Sequence, residues 1–94
     1  VDAVGSKTTV IVDSSFRRGS DIVKALAIGA KLVMVGRPTL WGTTVAGEAG
    51  AARAIWLLRE EIRRTMAYCG CPTVSDLNRE LLSYVPTPHM PWTM

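Results

Sequence analysis

The chain has 94 residues, 48% of them hydrophobic and 20% charged, a composition that buries a core and excludes disorder. Its length allows at most one domain, and one this small hides about 60–65% of its unfolded surface. With 11 Lys+Arg against 8 Asp+Glu the formal charge is +3, yet Arg17-Arg18 and Arg63-Arg64 are isolated pairs and the basic residues form no run, so the stripe that nucleic-acid binding calls for is missing.

The opening Asp2-Ala3-Val4-Gly5 predicts the last turn of a helix with Gly5 past its end, so the chain is expected to begin in mid-fold. Thr8-Thr9-Val10-Ile11-Val12, closed by Asp13, is β-branched without alternation and predicts a strand over about residues 8–13 buried on both faces. Ser20 is the expected N-cap of a helix over Ile22 to Ile28, ended by Gly29. Leu32-Val33-Met34-Val35 predicts a second strand over about 31–36, which Pro38 stops. Thr39 to Thr44 reads as a short turn or helical piece. A long helix is expected from Val45 to about Tyr68 or Cys69. Its apolar stripe comprises Ala52, Ile55, Leu58, Ile62, Met66 and Cys69, with Glu60 and Arg64 paired on the other side. After Gly70 and Pro72, Thr73 or Ser75 caps a short helix through Leu82, and an extended tail covers 83–94.

Strand, helix, strand with a short connection predicts a crossover between parallel strands. Two such strands make no domain, because the sheet keeps two open edges and has too few helices to cover it. A barrel of about 250 residues spends about 31 on each βα unit. The fold class expected is therefore α/β, with the chain reading as the end of a barrel; the resemblance described below implies more closely the last two βα units of a (β/α)8 barrel with a C-terminal helix and tail, completed by another polypeptide.

Cys69 and Cys71 flank one glycine, too close for an easy disulfide and lacking the second pair of a zinc site. They are expected to be reduced, packed thiols in a cytoplasmic setting. No apolar run approaches the ~18 residues of a membrane span, and no signal-peptide pattern opens the chain.

Both strands end in segments suited to an anion: Asp13-Ser14-Ser15-Phe16-Arg17-Arg18-Gly19 and Gly36-Arg37-Pro38. Small residues admit a ligand to the backbone, and arginine matches phosphate bidentately. In a barrel the last two units commonly hold a phosphate at one face.

Those segments, with Ser20 to Ala27, Gly29-Ala30, Val35-Gly36-Arg37-Pro38, Ala46-Gly47-Glu48-Ala49-Gly50, Arg64-Thr65-Met66-Ala67 and Gly70-Cys71-Pro72, closely resemble the C-terminal portion of the FMN-dependent 2-hydroxy acid oxidases and dehydrogenases, from about Val4 to Leu82. The resemblance implies an FMN barrel to which this chain gives the last two strands. It places Asp13 along the ribityl chain, Ser14, Ser15 and Arg17 at the phosphate end, and Gly36 with Arg37 completing the cradle. The family commonly has two glycines or Ser-Gly where this chain has Ser14-Ser15; the added hydroxyls can donate to phosphate.

The implied reaction is oxidation of an L-2-hydroxy acid to the 2-oxo acid with a histidine base. In the family that base lies in a Ser-Asn-His-Gly-like stretch, followed by a carboxylate-binding arginine, and neither occurs here. The resemblance thus implies an N-terminal polypeptide that supplies both together with the other barrel strands, and a homo-oligomer of assembled barrels; the scattered basic residues and the short apolar runs give the expectation of no nucleic-acid and no membrane partner. His89 reads as a surface or interface residue of the tail, Arg18 as solvated or at the substrate's edge. Packing accounts for Trp41, Trp56, Trp92 and Cys71, and Glu48 for a favourable charge on the helix dipole. Other FMN or phosphate-binding barrels, and a module that holds a phosphorylated ligand without chemistry, remain the alternatives.

Overall fold

Strands β1 (Ile11–Asp13) and β2 (Leu32–Met34) pair in parallel, with Ile11 opposite Leu32, Val12 opposite Val33 and Asp13 opposite Met34. They belong to a computed structural model that describes residues 1–83. The expected parallel pair is present, but its strands are shorter than 8–13 and 31–36. Each has a single neighbour among the described residues, so only the stretch in register forms a ladder, extended by Lys31 N–H donating to Val10 O at 2.9 Å. The strands are also not buried on both faces. Val12 and Val33 pack inward, whereas Ile11, Leu32 and Met34 are 51%, 57% and 57% exposed, because no described element covers their side.

Helix α1 (Gly19–Ile28) makes the crossover and buries Ile22, Val23 and Ala27. Ser20 does not cap it. The first turn is closed by Asp21, whose Oδ2 accepts from the N–H groups of Arg17 at 3.2 Å and Arg18 at 3.1 Å, the reach-back of a carboxylate in the third helical position. Gly29, at φ 122°, ends the helix.

Helix α2 (Arg37–Tyr68) begins earlier than expected, with Pro38 in its first turn, where a missing N–H costs nothing. The proline that stops β2 also starts α2. The backbone leaves helical geometry at Ala46 (φ −149°, ψ 26°) and Gly47 (φ 60°, ψ −137°), which divides α2 into limbs over 37–45 and 48–68. Across this kink Gly42 and Gly50 meet backbone to backbone, and a Cβ on either would run into the other.

Only the middle of the predicted stripe packs: Leu58 is buried and Ile62 and Met66 lie against the core, while Ala52, Ile55 and Cys69 are exposed. α1 is 10 residues long and covers no more of α2, which has 32. Glu60 pairs with Arg63 at 3.9 Å rather than with Arg64. One core cluster joins Phe16, Ile22 and Leu58 to Val12 and Val33 of the sheet; another joins Val23 and Ala27 to Cys71 and Leu77. Leu26 and Ile62 border both.

In place of a last helix through Leu82 there are two 3-10 turns, Val74–Asp76 and Arg79–Leu81. Thr73 rather than Ser75 caps the first: Asp76 Oδ2 accepts from Thr73 N–H at 2.9 Å and from its hydroxyl at 2.8 Å, which holds the carboxyl below the usual carboxylate range. Arg79 pairs with Asp2 at 2.6 Å. Residues 2–7 form a turn rather than a helix end, with Gly5 N–H donating to Val1 O at 2.7 Å. From residue 84 onward the expected tail, with His89 and Trp92, lies outside the described residues. Among the described residues no helix is long and apolar enough to cross a membrane.

Candidate functional site

Parallel pairing puts the C-terminal ends of β1 and β2 side by side, so the segments that follow them share one edge. Between these segments lies a cleft of about 240 Å³. All six residues singled out from the sequence, Asp13, Ser14, Ser15, Arg17, Gly36 and Arg37, line it, with Phe16, Met34 and Val35 as its apolar part.

The chain leaves β1 through two left-handed residues, Ser14 at φ 91° and Ser15 at φ 67°. Such conformations cost of order 1–3 kcal/mol each in residues other than glycine. The turn is held from both sides. Ser14 N–H donates to Asp13 Oδ1 at 2.7 Å, and Phe16, 7% exposed, is anchored in the core. Asp21 then fixes the backbone of Arg17 and Arg18. The Arg17 guanidinium donates from Nη1 to Phe16 O at 3.0 Å and stands 5.2 Å over the ring of Trp41.

On the other wall Gly36 is the N-cap of α2, and its carbonyl accepts from Leu40 N–H at 3.1 Å and from the Thr39 hydroxyl at 2.7 Å. The N–H groups of the first turn have no intrahelical partner and carry the positive end of the helix dipole. A Cβ built on Gly36 would meet nothing within 4 Å, so the glycine leaves open space beside those donors. Arg37 follows, exposed. Two guanidinium groups, a helix N-terminus and a glycine-lined opening form a donor set for a multiply charged oxyanion. The Asp13 carboxylate on the same rim suits hydroxyl donors instead.

Arg18 does not belong to this cleft. Its Nη2 meets Glu61 Oε2 at 2.9 Å, and Gly19 N–H donates to Glu61 Oε1 at 2.8 Å. The pairing raises the Arg18 pKa and, with the Gly19 bond, holds the Glu61 carboxyl below its ordinary range. A Cβ on Gly19 would collide with Glu61 and Ile62, so α1 and α2 approach closely here. No pattern in the sequence announced this clamp, whose partners are 43 residues apart.

Trp41, expected to pack, is 53% exposed, and Trp56, 46% exposed, lies beneath Arg53 at 4.5 Å. Cys71 is buried, as expected, and burial pushes its thiol up; Cys69 is exposed, and both are free. Among the described residues no cluster of His, Cys, Asp or Glu could hold a metal ion.

The sequence pattern of the FMN-dependent dehydrogenases matches residues 1–84. An L-lactate oxidase of Roseobacter sp. (strain GAI101) is 51% identical over 83 residues, 88% of this chain and 22% of that protein. The (S)-mandelate dehydrogenase of Pseudomonas putida is 51% identical over 73 residues, 78% of this chain and 19% of the other. Among solved structures, a mutant flavocytochrome b2 with pyruvate bound superposes with a TM-score of 0.81 at 36% identity, covering 94% of this chain and 24% of that one. The chain thus spans about a fifth of the length of the curated relatives it matches.

Proposed function

The chain belongs to the FMN-dependent dehydrogenase family, and we propose that its part in that enzyme is to form the phosphate end of the FMN site, on the last two βα units of a (β/α)8 barrel. The observation that carries this reading is the convergence of Asp13, Ser14, Ser15, Arg17, Gly36 and Arg37 on one cleft at the C-terminal ends of both strands. The donor set fits the cofactor: the dianionic phosphate suits Arg17, Arg37 and the α2 N-terminus, and the ribityl hydroxyls suit Asp13. The open space at Gly36 admits the phosphate to the backbone.

When bound, FMN accepts the two electrons removed with the α-hydrogen of a 2-hydroxy acid. The residues that line the cleft anchor the cofactor. Arg17 and Arg37 offset the phosphate charge with in-plane N–H donors, the first turn of α2 adds backbone donors, and Ser14 and Ser15 add hydroxyls. The base that takes the substrate proton, and the arginine that grips its carboxylate, belong to an N-terminal segment outside these residues. That segment also supplies the remaining strands, which cover Ile11, Leu32 and Met34. An L-2-hydroxy acid is the substrate class, in keeping with relatives named for lactate and mandelate.

Arg37→Ala in the assembled enzyme tests the reading by equilibrium dialysis of FMN. Loss of one charge-assisted contact of about 1.5–3 kcal/mol raises Kd by about ten- to 150-fold. Unchanged FMN retention would place the phosphate elsewhere.

A further inference from the structure

Trp41 is half exposed on the first limb of α2 and, among the described residues, belongs to neither core cluster. What it touches is Arg17, whose guanidinium carbon stands 5.2 Å from the ring centroid, within the ~6 Å over which an aromatic face attracts a cation. We propose that Trp41 is a positioning residue that presents Arg17 to the phosphate, and that it thereby sets how strongly the site prefers a phosphorylated flavin to its dephosphorylated form. The inference rests on the phosphate reading above and assigns that preference to a residue outside the cleft lining.

The chemistry turns on which surface of the guanidinium is used. A carboxylate partner would occupy the in-plane N–H donors and neutralise the charge, as Glu61 does for Arg18. An aromatic ring attracts the cation without taking up its N–H donors or neutralising its charge, so both stay available for an oxyanion. The Arg17 guanidinium stands over such a ring, that of Trp41. One edge donor goes to Phe16 O at 3.0 Å, and among the described residues its charge meets no carboxylate. Phe16, buried, fixes that carbonyl. Trp41 also follows Arg37 by one helical turn, so ring and second cation share a face of α2. One short helical limb thus carries the Arg37 donor and the platform for Arg17, and it begins at the N-cap Gly36.

The test measures affinities for FMN and riboflavin in the assembled enzyme, by quenching of flavin fluorescence, for the wild type, Trp41→Leu, Trp41→Phe and Arg17→Ala. Trp41→Leu lowers the FMN-to-riboflavin preference by about two- to fivefold, the worth of a cation–π contact at an exposed site, and leaves riboflavin affinity unchanged. Trp41→Phe keeps part of the preference, and Trp41→Leu adds nothing in an Arg17→Ala background. An unchanged preference in Trp41→Leu, or equal weakening of both flavins, overturns the role of Trp41. If Arg17→Ala alone lowers the preference while Trp41→Leu does not, the phosphate reading stands and this inference falls. If Arg17→Ala leaves the preference intact, both fall.

Discussion

The sheet has one packed face and one bare face. Val12 and Val33 rest against the cluster of Phe16, Ile22 and Leu58, while on the opposite side Ile11, Leu32 and Met34 each leave half or more of their surface in solvent. Both faces are apolar in sequence, and the difference lies in what covers them. α1 and the middle of α2 supply an outer layer, as crossover helices do in a parallel sheet, and nothing described supplies the inner one. Among the described residues the apolar inner face and the outer edge of each strand are left without a covering element. The candidate site lies on the rim where the strands end, so its walls are fixed by the packed side alone.

The largest effect expected from this contrast concerns the 94 residues by themselves. With the inner face and both edges uncovered among the described residues, the isolated chain is expected to give no sharp two-state thermal transition as a monomer, a behaviour that calorimetry on a size-selected sample checks. A sharp transition from a monodisperse monomer would break the comparison.

The smallest effect sharpens it from the packed side. Glu61 ties α2 to the start of α1 through Arg18 and Gly19, and its carboxyl is held below the ordinary range, first by the Arg18 bond and then by the Gly19 N–H. A carboxylate with a lower pKa folded than unfolded stabilises the fold fully above its unfolded value, about 4.3 for glutamate. That contribution fades as pH falls through the depressed folded value. Glu61→Gln in the assembled enzyme therefore lowers stability slightly at neutral pH and reduces its decline between about pH 5 and 3. Thermal melts across that range measure it, and parallel curves for the two proteins would remove the clamp from the account.

The site was legible in the sequence to the extent that its parts are local. Asp13-Ser14-Ser15-Phe16-Arg17 and Gly36-Arg37 each follow a β-branched or aliphatic run, and once the two runs are paired in parallel the loops must lie together. Strand positions were legible for the same reason; their lengths were not, because a ladder needs a neighbour that the sequence of one strand does not contain. The kink at Ala46 and Gly47 escaped helical periodicity, since Ala46 to Ala49 carries small or charged residues that hide a break in apolar spacing. Its structural signal was the glycine pair Gly42 and Gly50, which admits close backbone contact. The Arg18–Glu61 clamp and the cation–π contact of Arg17 with Trp41 join residues far apart in the chain, and neither partner's neighbourhood marks the other. The roles of these two adjacent arginines were separable only by position: Arg17 lines the cleft and Arg18 turns to α2.

The central claim, that the edge between β1 and β2 holds the cofactor's phosphate, is met most directly by a crystal structure of the assembled enzyme with FMN. The account predicts the phosphate oxygens within hydrogen-bonding distance, about 2.7–3.0 Å, of the Arg37 guanidinium and the backbone N–H groups at Gly36 and Arg37, with the Arg17 edge donors completing the shell. A phosphate seated away from Arg17, Gly36 and Arg37, with those residues facing solvent, would contradict it.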